Sequence, residues 1–388
     1  MLTRYDEYPV HQSPYPFSEI PVTDYNWDDG YYFGVFSAEA RCFLFTGMRV
    51  SPNSDVLGGY AAVCLDGRQY TVRLSRVWRP DCDTAIGPLR YEFVEPFHDV
   101  HVALGENDSA LRFDLHWLGL ADAHEEAHHL SLTRGRRTTD QTRYVQAGTA
   151  RGWIELEGRR FDVGGPPRWY GARDHSWGLY SERPPFGGHQ RWLPPADPPA
   201  ARRALRLWTV FADPTRSGFY QLHENEDGEQ VVMNDMFGTP FEGGIDHGFG
   251  TRVRLVSGSH ELAFLPGTRA LAGGTVRLAD EHGREWVQQL ELADPPWFPL
   301  EIGYHQGTWN DGGSIQTYHG PGVYLEYDEL DVSSQPFDYD LGGFVLQGVN
   351  GTEHLVRVRT TGPDGTVTEG LGHVEMFVEG PYAPYGFE

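Results

Sequence analysis

The stretch Trp169-Tyr170-Gly171-Ala172-Arg173-Asp174-His175-Ser176-Trp177-Gly178-Leu179-Tyr180 decides how this chain is read. Two Trp, two Tyr, an Arg, an Asp and a His crowd into twelve residues punctuated by glycines. In a strand, alternate side chains face opposite ways. One face then carries Trp169, Arg173, His175 and Trp177, and the other Tyr170, Asp174, Ser176 and Tyr180. Asp174 and His175 are not each other's partners on this reading unless a bulge intervenes, which the glycines permit. Each face joins an aromatic body to polar tips. That suits a ligand-cavity wall or a packed strand with internal hydrogen bonds.

Working outward, 388 residues exceed one small core and suggest two domains. With 39% hydrophobic and 22% charged residues the composition is globular, and 47 Gly with 27 Pro point to short strands and tight turns. The formal net charge is -24 and lysine is absent, so every side-chain cation apart from histidine is an arginine. A chain this acidic lacks the basic face that nucleic acids or anionic membranes require. The missing lysine also removes Schiff-base chemistry and lysine-anchored pyridoxal phosphate. Cys42, Cys64 and Cys82 follow no metal or disulfide spacing and read as buried thiols. The stretch from Met1 to Glu7 has no apolar signal core, and no segment reaches membrane-spanning length. The expected setting is cytoplasmic.

Strand-like runs recur from Tyr31 to Leu118 and again from Ala204 to Val378, separated by turn signals such as Asp66-Gly67, Asp227-Gly228 and Asp364-Gly365. Among them, residues 230–236, 249–255 and 260–264 are expected as three separate strands. This rhythm predicts an all-β sandwich or barrel. No phosphate-binding glycine motif stands between a strand and a helix. His124, Glu125, Glu126, His128 and His129 crowd together without a metal-binding spacing, so a solvated loop or edge strand is expected there and no metal. The run Leu193-Pro194-Pro195-Ala196-Asp197-Pro198-Pro199-Ala200 is the clearest punctuation. It divides the chain into expected domains 1–192 and 193–388. Asp294-Pro295-Pro296-Trp297-Phe298-Pro299 reads as a stiff aromatic loop that could cover a cleft.

Arg173-Asp174-His175-Ser176-Trp177-Gly178 resembles the signature of the lipocalin-like hydroxyneurosporene synthase family, the carotenoid 1,2-hydratases and their AttH-like relatives. Cofactor-free fungal Diels–Alderases are distant members of that architecture. The resemblance implies two lipocalin-like (calycin-type) antiparallel β-barrel or sandwich domains with a ligand cleft in or between them. In that family a His-x-Trp joins an aromatic-x-Asp at the site. The first maps onto His175-Ser176-Trp177, and the second onto Phe211-Ala212-Asp213, with Phe in place of the family's Tyr. The stretch Gly370-Leu371-Gly372-His373-Val374-Glu375 is similar to the relatives' closing glycine-glycine-acid segment.

The expected function is a cofactor-free lyase, hydratase or cyclising isomerase working by acid–base catalysis on an apolar, isoprenoid or polyketide-like small molecule. A non-catalytic carrier with the same cavity is the competing class. Asp174, His175 and Asp213 are the expected catalytic residues. Trp169, Tyr170, Arg173, Trp177, Tyr180, Phe211, Glu326 and Glu375 are the expected substrate contacts. An aromatic face can stabilise a developing cation, and a carboxylic acid in an apolar cavity can keep a proton to transfer. Glu326 and Glu375, each between apolar neighbours in a strand, are in such a place more often structural partners of an Arg than catalysts. No metal, cofactor, nucleic acid or membrane insertion is implied, and a homodimer is compatible with the chain.

Overall fold

The computed structural model describes residues 1–7, 13–133, 135–180, 203–232, 238–297, 302–304, 306–341 and 344–388. The chain is all-β, and no α-helix occurs among the described residues. It builds a large curled antiparallel sheet and a closed eight-stranded antiparallel barrel. The Pro-rich run that marked the expected division lies outside the described residues.

The strand Tyr170–Tyr180 holds the middle of the curled sheet, between Trp27–Ser37 and Arg136–Leu156. From Trp27–Ser37 the sheet runs outward through Cys42–Ser51, Val56–Leu65 and Arg68–Val77. On the other side it continues through Leu111–Gly119, Asp99–Leu104, Leu89–Glu95 and the short Ala85–Ile86. The sheet curls into a half-barrel, and Arg76 Nε on Arg68–Val77 donates to the Ala85 carbonyl. One strand comes from far along the chain. Tyr324–Asp331 pairs antiparallel with Arg68–Val77 and forms the sheet's edge.

The barrel takes Leu205–Ala212, Ser217–Glu224, Phe241–Asp246, Val253–Phe264, Leu271–Asp280, Glu285–Leu292, Glu353–Thr361 and Val367–Val378. Two separately expected strands, 249–255 and 260–264, are one continuous strand, Val253–Phe264. It absorbs its irregularities as register shifts between Leu255 and Ser257 and between Ala263 and Phe264. The expected strand over 230–236 is not formed at Gln230–Val232, and its remainder lies outside the described residues.

Period-2 alternation sorts these strands into three cores. Phe33, Val35, Leu44, Val102, Leu115 and Trp117 fill the inside of the curled sheet. Leu207, Phe211, Leu222, Leu278, Val356 and Met376 fill the barrel. The third core lies between the two units, where Phe43, Phe45, Tyr170 and Ala172 of the sheet meet Trp208, Val210, Phe219 and Leu371 of the barrel wall. Trp297, from the expected aromatic loop, is 2% exposed and stacks on Phe45 at 4.0 Å, closing one side of that layer. Cys42, Cys64 and Cys82 are buried. No helix among the described residues is long and apolar enough to cross a membrane.

A polar contact inside the barrel fixes a pH response. Leu271 N donates to His354 Nε2 at 3.0 Å, while His354 Nδ1 lies 3.1 Å from the Val374 carbonyl and donates to it. Both ring nitrogens are committed to the neutral tautomer, and burial pushes the imidazole down to about 4. The folded value lies below the unfolded one, near 6.5. The stabilisation is therefore complete above about pH 6.5 and disappears as pH falls toward 4. At about 1.4 kcal/mol per pH unit, roughly 3 kcal/mol is at stake. Urea melts of the wild type and His354→Leu should show an acid slope that flattens in the variant. Parallel slopes would contradict this assignment.

Candidate active site between the two units

The central strand pairs with both neighbours without a register shift, so its faces stay separate. Tyr170, Ala172, Asp174 and Ser176 face the barrel, and Arg173, His175 and Trp177 face the inside of the curled sheet. Asp174 and His175 accordingly take different partners. Asp174 Oδ2 lies 3.8 Å from Arg143 Nη1, whereas His175 Nε2 is 2.8 Å from Asp29 Oδ1 and its ring stacks 3.8 Å from Tyr31.

The barrel-facing side gathers titratable groups from several strands. Tyr32 is the direct cross-strand partner of Asp174, which sets their side chains side by side. Glycines make the room: a Cβ at Gly34 would fall 2.7 Å from Tyr32 Oη. From Tyr32 the hydrogen bonds cross to the barrel wall. Tyr32 Oη lies 3.1 Å from His373 Nδ1, and His373 Nε2 lies 2.6 Å from Glu353 Oε2. His373 and Glu375 alternate outward on Val367–Val378, and Glu375 pairs with Arg206 at 2.7 Å. Arg143, which faces Asp174, also neighbours Glu126, and Glu126 approaches His129 at 3.3 Å.

Burial shapes the acidities here. It raises the Asp174 carboxyl above the usual carboxylate value, with Arg143 opposing and Glu126 adding to the rise. Burial also pushes the Glu353 carboxyl well up, helped by Glu375 and Asp174 and opposed by Arg206. The His373 imidazole is pushed down to about 4 by burial, so the ring is neutral at neutral pH. Tyr32 is raised by burial and by Glu353, and it stays a phenol able to donate a hydrogen bond. Glu126 goes the other way. Burial alone would raise it, but His129 and Arg143 outweigh that and hold it down to about 2.

Two acids keep partial access despite this setting: the Asp174 side chain is 22% exposed and that of Glu375 31%, against 8% for Glu353. Asp174 is therefore reachable yet poorly hydrated, as a proton donor to an apolar ligand must be. Trp208 and Phe43 stand against the His373 ring at 5.4 and 5.0 Å and supply apolar and quadrupolar surface. At the rim of the same layer Tyr170, with Glu39, Arg168, Arg357 and Leu371, lines a cleft of about 400 Å³. Tyr180 lies on the Asp174 face at the strand's far end and contributes to the field at Arg143.

Other expected site residues are placed elsewhere. Trp169 is 4% exposed in the core of the curled sheet, edge-on to Phe161. Phe211 packs inside the barrel on Tyr220. Asp213 caps the turn that follows it, accepting from Thr215 N and Arg216 N, and Thr368 Oγ1 donates to its other oxygen. Neither Phe211 nor Asp213 joins His175 and Trp177. Glu326 is bound by Arg73 Nε at 2.6 Å, by Asn310 N and by Tyr324 Oη, all scaffold partners. The clustered histidines disperse to separate acids, His124 to Glu242, His128 to Asp140 and His129 to Glu126. His129–Thr133 is an edge strand, one of the two expectations for this stretch, but His129 and Glu126 are buried where solvation was expected.

Sequence reasoning missed Tyr32, Arg143, Arg206, Glu353 and His373. For His373 a signal existed, because it sits two residues from Glu375 and so shares its outward face.

The fold and this cluster define a two-unit antiparallel β protein whose ionisable groups converge between a closed barrel and a curled sheet. The chain belongs to a family of unknown function, DUF8625, whose model matches residues 2–388. No curated protein matches the sequence. Among solved structures it is similar to kievitone hydratase from Nectria haematococca, at 10% identity and a TM-score of 0.41, over 90% of this chain and 89% of that one. It is also similar to CghA with Sch210972, at 8% identity and a TM-score of 0.47, over 91% of this chain and 88% of that one. For CghA alone the identity is 9% and the TM-score 0.46, over the same shares of the two chains.

Proposed function

We propose that the protein is an acid–base lyase, hydratase or cyclising isomerase that takes an apolar, isoprenoid or polyketide-like small molecule between its two units. The observation that carries this reading is the reachable Asp174 carboxyl with a raised pKa, set beside Tyr32 and the His373–Glu353 pair. Asp174 protonates a double bond or a carbonyl, and Tyr32 donates a hydrogen bond to the oxygen that gains charge. With Glu353 protonated, its O–H donates to His373 Nε2, the His373 N–H at Nδ1 donates to Tyr32 Oη, and the phenol proton is left to face the ligand. Aromatic faces at Trp208 and Phe43 stabilise a cationic intermediate. Water then adds and returns a proton to the Asp174 carboxylate, or an internal double bond closes a ring and the resulting cation loses a proton to it. In the lyase direction Asp174 instead protonates a hydroxyl, which leaves as water while a neighbouring carbon loses its proton.

The test is a panel of polyenes and polyene ketones incubated with the protein in ¹⁸O-labelled water and read by mass spectrometry. Hydration incorporates the label, elimination loses water, and cyclisation leaves the mass unchanged at a new retention time. Tight binding across the panel without conversion would point to a carrier instead.

A further inference from the structure

On the opposite face of the central strand lies a cation that no acid among the described residues neutralises. Arg173 is 1% exposed, and its hydrogen-bond partner is neutral: Nε donates to Gln146 Oε1 at 2.8 Å. Its Nη2 is buried without a partner among the described residues, and none of its described contacts is a carboxylate. The guanidinium sits instead among rings, with Cζ 5.0 Å from the centroid of Trp117, 5.3 Å from Tyr144, and 5.8 Å from both Phe33 and Phe97. A buried charge left this way is costly, because ring quadrupoles replace only part of its hydration. Other buried arginines of the same sheet have an acid: Arg49 pairs with Asp28, and Arg73 with Glu326.

The rings around Arg173 lead outward to solvent. Tyr144 packs edge-on to His175 at 5.3 Å and to Phe97 at 5.4 Å, and His175 lies 4.7 Å from Trp177. Tyr31 joins His175 to Phe93. Phe97 is 46% exposed and Phe93 36%, so large apolar groups stand in water at the mouth. Asp29, the rim's acid, is already held by His175 Nε2. A buried cationic floor beneath an exposed aromatic rim fits a ligand with a flat apolar body and an anionic end.

We propose that Arg173 and the surrounding rings form a second ligand site, at the mouth of the curled sheet, for an aromatic carboxylate. It is separate from the cluster between the units, since the two sites use opposite faces of the Tyr170–Tyr180 strand. The carboxylate takes the free Nη2 and its neighbouring N–H groups, and the ring lies among Tyr144, Phe97 and Trp177. Burial lowers the Arg173 guanidinium, and an anion at Nη2 would offset that.

Benzoate is the probe and benzamide its neutral counterpart of the same shape. Titrated into the wild type with tryptophan fluorescence as the readout, benzoate should quench saturably and benzamide bind at least tenfold more weakly. Arg173→Met should weaken benzoate by roughly ten- to a hundredfold, the loss of a charge-assisted hydrogen bond. Phe97→Ala, at the exposed rim, should weaken both probes and keeps the test decisive if Arg173→Met does not fold. Equal binding of the two probes to the wild type, or no saturable binding of benzoate, would overturn the proposal. No turnover is read, so the outcome is independent of the catalytic reading.

Discussion

Asp174→Asn is expected to lower turnover at least a hundredfold while the protein keeps its fold and its ligand affinity. Removing a general acid costs on the order of 10²–10⁴ in rate. Asparagine keeps the shape of the side chain and removes only the transferable proton. Stability should not suffer, and the sign follows from the raised carboxyl. An acid whose folded pKa lies above its unfolded one destabilises the fold as pH rises through the interval between them. At neutral pH the uncharged amide avoids that cost, while the long 3.8 Å approach of Asp174 to Arg143 contributes little in the wild type. The melting temperature of Asp174→Asn should therefore equal or exceed that of the wild type. His175→Ala, on the other face, should retain turnover between the units. Kinetics and thermal melts of both variants decide the matter, and full turnover in Asp174→Asn removes Asp174 as the acid.

Arg73→Met should be the most destabilising single change at the junction of the chain's two halves, by roughly 3–5 kcal/mol. Arg73 is fully buried and bound to Glu326 at 2.6 Å and to Asp328, both from the far-travelled strand Tyr324–Asp331. Methionine fills the space but leaves those carboxylates without their cation in a poorly hydrated layer. Adding Glu326→Gln to Arg73→Met should restore part of the loss, since one orphaned charge is then removed. Urea denaturation at neutral pH measures both. A loss below about 1 kcal/mol would mean that water reaches this pair and that it behaves as a surface ion pair.

The contrast between these residues shows what the chain discloses by itself. Alternation along Trp169–Tyr180 was legible, because period 2 is local: Asp174 and His175 take opposite faces and different partners, as their spacing implied. Which surface each face meets was not legible, since that depends on strands far away. Tyr32 and His373 touch across a separation of 341 residues, and no local pattern connects them. Residues 322–327 likewise read as one more strand of the second half, although the strand formed there, Tyr324–Asp331, pairs with Arg68–Val77. The resemblance placed Phe211 and Asp213 beside His175 through a short motif. Asp213-Pro214 is equally a turn sequence, and the turn's own hydrogen bonds occupy the carboxylate. Glu353 stayed hidden because His354 follows it, and only strand pairing tells which of the two faces the barrel's interior.

The central claim is that protonated carboxylic acid is held between the units at neutral pH, and infrared difference spectroscopy reads it directly. The C=O stretch of a neutral carboxyl is separate from that of a carboxylate. Spectra of the wild type at pH 7, with Glu353→Gln as the reference, should show a neutral carboxyl band that the variant lacks. Asp174→Asn should remove a second contribution that grows as pH is lowered. A wild-type spectrum with only carboxylate signal at pH 7, unchanged by Glu353→Gln, would contradict the account.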